Sequence, residues 1–270
     1  MQGALDGLYR SLVIDGDALD RRDASLVAAV LPLARAFNRA WVRLRVDGLE
    51  HLPKSRALLV ANHNGGIAGP DLACTFGTLW NHLGPEAPLY ALAHDFAMKH
   101  VPALGAVLQR FGAVRASQRN AMRLIERDAL CLVYPGGDLD AYRDSTRRDE
   151  VVLGHRTGFV RVAQQTGAPI VPIVAHGAHR SAWVLSDGET IARALRLQEW
   201  ARVSRFPIAL ALPWGISLGP WTPWLPLPFS IRLRVLPPIE VAQDDDPATV
   251  REEVRTRMQA ALNELSRGPA

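Results

Sequence analysis

Cysteine is nearly absent. The chain has two in 270 residues, Cys74 and Cys131, both inside apolar stretches. Two such thiols build no disulfide framework and read as buried free thiols in a reducing compartment. His176 and His179 come without the carboxylate or cysteine partners of a metal site, so no metal is expected. A Gly-x-Ser-x-Gly elbow is missing, and neither cysteine sits at a bend, which leaves no residue placed as a covalent nucleophile. Long hydrophobic runs are missing too. The run Leu26 to Ala34 is interrupted by Pro32 and stops at Arg35, far short of the roughly 20 residues a membrane span needs. Asp6, Asp15, Asp17, Asp20 and Asp23 occupy the N-terminal region where a secretory signal would be apolar. A strong excess of either charge is missing as well. With 31 basic against 27 acidic residues the net charge is +4, too weak and scattered for a nucleic-acid partner but suited to an anionic membrane surface or phosphorylated ligands.

What remains is apolar: 48% hydrophobic residues against 21% charged, with 19 prolines and seven tryptophans. That content can bury a full core as a single α/β domain. Residues 1–44 read as a peripheral N-terminal helical segment, and 45–270 as the main domain. The helix over 24–41, punctuated by Arg35, Arg39 and Arg43, lies either on a membrane or on the core. Beyond it the pattern predicts strands at 57–61, 89–93, 113–115, 130–134 and 169–175. Helices are predicted at 70–83, 101–111, 118–127 and 157–165. Uniformly apolar strands alternating with helices point to a mostly parallel central sheet flanked by helices. Pro172 inside a strand implies an edge position or a bulge. A single helix is predicted over 189–203. The six prolines of 206–229 forbid a continuous helix there, leaving a proline-rich loop or an interfacial segment carried by Trp214, Trp221 and Trp224. A strand over 230–236 with alternating Arg232 and Arg234 reads as a solvated face or a sheet edge, and a final helix spans 247–266.

Two strand ends carry chemistry. In ALLVANHNGGIAGPDLA (57–73) an apolar strand runs into His63, then a glycine bend, then Asp71 at a helix start. Ligands of open α/β sheets bind beyond the carboxyl ends of the strands. A histidine there can take a proton near neutral pH, and a carboxylate can fix its tautomer. The plainer reading of Asp71 is dipole compensation in the first helical turn. Asn64 and Gly65 belong to the bend. In LCLVYPGGDLDAYR (130–143), Gly136 and Gly137 let backbone come close to a ligand. Asp138, Asp140 and Arg143 either bind an acceptor or are solvated loop charges. Arg115, at the end of FGAVR, suits an anionic group.

The ordered blocks ANHNGGIAGPD, FGAVRAS, VYPGGDLDAYR and TGAPIVPIVAHG resemble those of the glycerolipid and lysophospholipid acyltransferase superfamily over residues 57–177. The Tyr-Pro-Gly-Gly block is more similar to the mono- and diacylglycerol acyltransferase branch. The resemblance implies an O-acyltransferase moving a fatty acyl chain from acyl-CoA or acyl-carrier protein to a lipid hydroxyl. On that view His63 is the general base and Asp71 orients it, with Asn64, Gly65, Arg115, Gly136, Gly137, Asp138 and Arg143 as substrate-binding candidates. It implies no cofactor beyond the acyl donor as co-substrate. The expected site of action is the cytoplasm, peripheral to the inner face of the membrane. The family's common block places Asp five residues after His. Here that place is Ala68, and Asp71 stands eight residues on. A non-catalytic acyl- or lipid-binding protein and an acyl-CoA thioesterase are the alternatives.

Overall fold

The computed structural model describes residues 15–63, 70–94, 98, 102–181, 183–201, 203–211, 215–219 and 229–267. Helix α1 (Ala24–Ala40) is started by Asp23, whose side chain accepts from the Leu26 N–H at 2.9 Å. It packs on α2 (Pro70–Leu83), burying Val27 and Leu31. The N-terminal helix therefore lies on the core, and residues 1–14 fall outside the described residues.

Seven strands form one sheet in the order β1-β10-β6-β2-β5-β3-β4. They are β1 (Arg45–Asp47), β2 (Ala57–Ala61), β3 (Leu89–Ala93), β4 (Ala113–Arg115), β5 (Leu130–Val133), β6 (Ile170–His176) and β10 (Arg232–Val235). From β6 through β4 the pairings are all parallel, while β10 runs antiparallel to β6. The mostly parallel α/β fold expected from the sequence is the fold observed. Its helical crossovers are α2, α3 (Pro102–Arg110), α4 (Gln118–Ile125) and α6 (Gly158–Thr166).

β2 shows why its sequence is apolar throughout. Leu58 and Val60 face one core, shared with α4, α6 and the C-terminal helix α9 (Pro247–Arg267). Ala57, Leu59 and Ala61 face a second core under α1 and α2. A strand covered on both faces has no solvated position for a polar residue. Each leucine so buried is worth about 1.5–3 kcal/mol of transfer free energy. Being central, β2 delivers its carboxyl end, and His63 with it, to the middle of the sheet rim.

Three expectations need correction, and a fourth, for Pro172, is met as a bulge and not as an edge. Pro172 lies in β6, which is an interior strand rather than an edge. The ladder tolerates it because four residues of β6 (170 to 173) face five of the partner strand and its continuation (235 to 239), a bulge-like mismatch. The Pro172 carbonyl still accepts from Leu236 at 2.9 Å. The strand carrying Arg232 and Arg234 is likewise interior, and its arginines are held by α9: Arg234 meets Glu264 at 2.6 Å and Arg232 bonds the Leu265 carbonyl. The helix expected over 189–203 is two short ones, α7 (Glu189–Ala194) and α8 (Leu197–Trp200), separated at Arg196 with φ 52°. That break turns Leu197, Ala201 and Val203 inward. The segment 206–229 is not a plain loop. Between its prolines lie β8 (Ile208–Ala211) and β9 (Gly215–Leu218), which form a three-stranded antiparallel sheet with β7 (Trp183–Ser186). Trp214, Trp221 and Trp224 fall outside the described residues.

Candidate active site

His63 and Asp71, eight residues apart, come together. His63 Nδ1 lies 2.7 Å from Asp71 Oδ2, and both side chains are buried. β2 ends at Ala61 and α2 starts at Pro70, so a strand end and a helix start, each rigid in its own core, fix the two ends of the pair. Proline suits the first helical turn because the N–H it lacks has no intrahelical partner there. Burial pulls the His63 pKa down, but the Asp71 charge and hydrogen bond outweigh it, so the net shift is upward from 6.5. In the neutral ring, a proton on Nδ1 shared with Asp71 leaves the Nε2 lone pair as the base. Tyr134, at the end of neighbouring β5, tilts against His63 with ring centroids 4.9 Å apart. Burial first, and then the Asp71 charge, keeps its hydroxyl protonated well above the ordinary value of 10.

The backbone of His63 is held as firmly as its ring. Its N–H donates to Asp140 Oδ2 at 2.5 Å, and its carbonyl accepts from Arg143 at 2.8 Å. Asp140 and Arg143 pair with each other at 2.6 Å, buried on the turn α5 (Asp138–Ala141) and just after it. Arg143 also donates to the carbonyls of Asp140, Arg147 and Arg148. Asn62, the residue before His63, makes two hydrogen bonds with the Ala175 backbone, at 2.8 and 3.0 Å. Its amide thus extends the β2–β6 pairing by one residue beyond Ala61.

The other expected site residues are placed as follows. Gly136 is required by close approach, since a Cβ there would stand 2.0 Å from the Val152 carbonyl oxygen and 2.5 Å from Asp140 Cβ. Gly137 adopts φ +53° as it starts α5. Asp138 is buried and faces the protein, accepting from the Ser204 N–H at 2.6 Å with Arg156 at 3.5 Å. Arg115 ends β4, the edge strand three places from β2, so it stands on the same rim but roughly 14 Å along it. Its partner there is Asp17 at 4.0 Å. Asn64 and Gly65 lie outside the described residues.

Sequence reasoning missed Tyr134 and the tie from Asp140 to the His63 backbone. It also gave His176 and His179 no carboxylate partner, whereas the fold brings Asp149 to 3.2 Å from His176 Nε2. Neither cysteine competes with His63. Burial pushes both thiols up to about 12, with the Asp71 charge adding to the effect at Cys74.

The family model described as "Acyltransferase" matches residues 43–176, which contain the dyad, the Asp140–Arg143 pair and the Gly136–Gly137 turn. Residues 43–176 of the chain belong to the acyltransferase family. An uncharacterised protein of Mycobacterium tuberculosis is 31% identical over 250 residues, covering 89% of this chain and 66% of its own length. The chain thus spans just under two thirds of that relative. Diacylglycerol O-acyltransferase 1 of Saccharomyces cerevisiae is 30% identical over 116 residues, covering 42% of this chain and 27% of the yeast protein. Among solved structures, the 1-acyl-sn-glycerophosphate acyltransferase of Thermotoga maritima shares the superfamily fold. Its TM-score is 0.57 at 18% identity, over 97% of this chain and 88% of that one.

Proposed function

We propose that this protein is an O-acyltransferase that moves a fatty acyl chain from acyl-CoA or acyl-carrier protein to the hydroxyl of a lipid alcohol. The observation that carries the reading is the buried His63–Asp71 pair at the sheet rim, where neither cysteine is placed to serve as a nucleophile. His63 Nε2 takes the hydroxyl proton as the acceptor oxygen attacks the thioester carbonyl. The tetrahedral intermediate then collapses, the C–S bond breaks, and the leaving thiolate takes the proton back from the imidazolium. The products are one ester and one free thiol, with no acyl-enzyme. An uncharged acceptor is favoured over a phosphate because Arg143 is engaged by protein carbonyls through all three guanidinium nitrogens. The test is incubation with radiolabelled long-chain acyl-CoA plus diacylglycerol, lysophosphatidate or no acceptor. Labelled triacylglycerol and acceptor-dependent thiol release are expected. Equal release without acceptor would make the protein a thioesterase, and saturable binding without turnover a lipid-binding protein.

The same reading places the protein peripherally on a membrane surface, the inner face in a cytoplasmic setting. No helix among the described residues is long and apolar enough to cross a bilayer. The outward face of the small sheet is apolar instead. Trp183, Leu210 and Ile216 are cross-strand neighbours, Leu185 and Leu218 flank them, and Trp183 and Ile216 are 62% and 65% exposed. This sheet begins seven residues after His176, at the carboxyl end of β6 beside β2, which sets it near the site a lipid must reach. The double variant Trp183→Ser/Ile216→Ser is expected to weaken flotation with anionic liposomes at least tenfold, given about 1.5–3 kcal/mol per large apolar side chain. Unchanged flotation would remove this face from the reading.

A further inference from the structure

A second cluster on the same rim holds donors that the proposed reaction does not use. His176 closes β6, His179 lies in the helical turn Ala178–Ser181, and Asp149 sits in the loop after α5. One donor atom from each of the three lies within 4.8 Å of the other two. His176 Nε2 and Asp149 Oδ1 are 3.2 Å apart, and the two imidazoles meet edge to face at 5.3 Å. A separate observation points to a ligand. Both ring nitrogens of His179 are buried and have no hydrogen-bond partner among the described residues. Buried polar atoms in folded proteins are rarely left so unless an ion or water completes them.

We propose that Asp149, His176 and His179 bind a divalent transition-metal ion, with Zn²⁺ the best fit. Two imidazoles and one carboxylate are borderline donors of the kind zinc takes. Bonds of about 2.0–2.1 Å put tetrahedral ligands roughly 3.3 Å apart. The Asp149–His176 pair already has that spacing, and closing His179 onto it needs a shift of roughly 1.5 Å at most. Asp149 is 44% exposed, which leaves an entry path and a fourth position for water. Arg148 lies beside the other Asp149 oxygen at 3.7 Å, and the charge of Arg143 is matched by Asp140. The ion has a structural consequence. Asp149 follows Arg147 and Arg148, whose carbonyls hold Arg143, which in turn holds the His63 carbonyl. Tying Asp149 to β6 fixes that loop.

The test uses full-length protein stripped with chelator and dialysed. Zn²⁺ binding is followed by calorimetry, Co²⁺ binding by its visible spectrum, and thermal unfolding is measured with and without Zn²⁺. One Zn²⁺ per chain, a nitrogen/oxygen-type Co²⁺ spectrum and a higher unfolding midpoint with Zn²⁺ are expected. His179→Gln and Asp149→Asn should each weaken binding by roughly a hundredfold, while His82→Gln, on exposed α2 surface, should bind like the parent. Both variants keep a polar side chain of similar size, and their melting in chelator reports whether they fold. Folded variants that bind Zn²⁺ like the parent overturn the site, as does a parent with no saturable binding. None of these readouts depends on acyl transfer.

Discussion

Replacing His63 with alanine is expected to lower acceptor-dependent thiol release by about 10²–10⁴-fold, the usual worth of a general base, with the folded structure retained. The proton on the acceptor hydroxyl then has no recipient, because Cys74 and Cys131 stay protonated and Tyr134 is held neutral. Unchanged release would remove His63 from the mechanism. The pH profile separates its role from that of Asp71. A base works when deprotonated, so the wild-type rate should rise with pH through an inflexion above 6.5, where the net upward shift of His63 places it. In Asp71→Asn the charge that raises His63 is gone and burial remains. The inflexion should then fall below 6.5 while the plateau drops. An inflexion that does not move would mean that Asp71 leaves the His63 proton alone and serves only the α2 start. The linkage to stability runs the opposite way to activity. A raised histidine stabilises the fold fully below pH 6.5, and that contribution is lost as pH climbs through the folded value.

The parts legible in the sequence are those where local pattern and tertiary environment agree. β2, α2, β3 and β4 fall where the apolar runs and their proline and glycine boundaries put them, because strands buried on both faces must be apolar throughout. The failures share a cause. Nothing in residues 189–203 marks a helix end, since no glycine or proline stands at Arg196. The break there depends on where Leu197 can be buried, which is a tertiary fact. β8 and β9 are four residues each between prolines, and only their pairing with β7 makes them strands. At the site, the Gly136–Gly137 bend and His63 were visible as strand-end features. The roles of Asp140 and Arg143 were not, because the same DLDAYR run suits a solvated loop and a buried ion pair equally. What decides between them is the approach of Val152 to Gly136, a contact across 16 positions of chain.

The buried Asp140–Arg143 pair is therefore where the largest loss of stability is expected. Arg143→Leu removes the cation and leaves a buried carboxylate facing the His63 N–H and the Val152 N–H. Breaking one side of such a pair costs about 3–5 kcal/mol. For a domain of this size each kcal/mol moves the midpoint by about 2–4 °C, so a drop on the order of 10 °C is expected in a thermal melt. The loss should depend on pH, and the sign follows from Asp140. Its pKa is raised from 3.8, by burial first, against the opposing pull of Arg143 and of the His63 and Val152 N–H groups. Without Arg143 it rises further, so the folded variant takes up a proton at pH values where the unfolded chain does not. The deficit against wild type should be full at pH 8 and smaller at pH 5, because protonation removes the buried charge. A deficit that is flat across that range would mean Asp140 escapes to water when Arg143 is lost. Acyl transfer should fall further than the folded fraction does, since the same guanidinium fixes the carbonyl of His63.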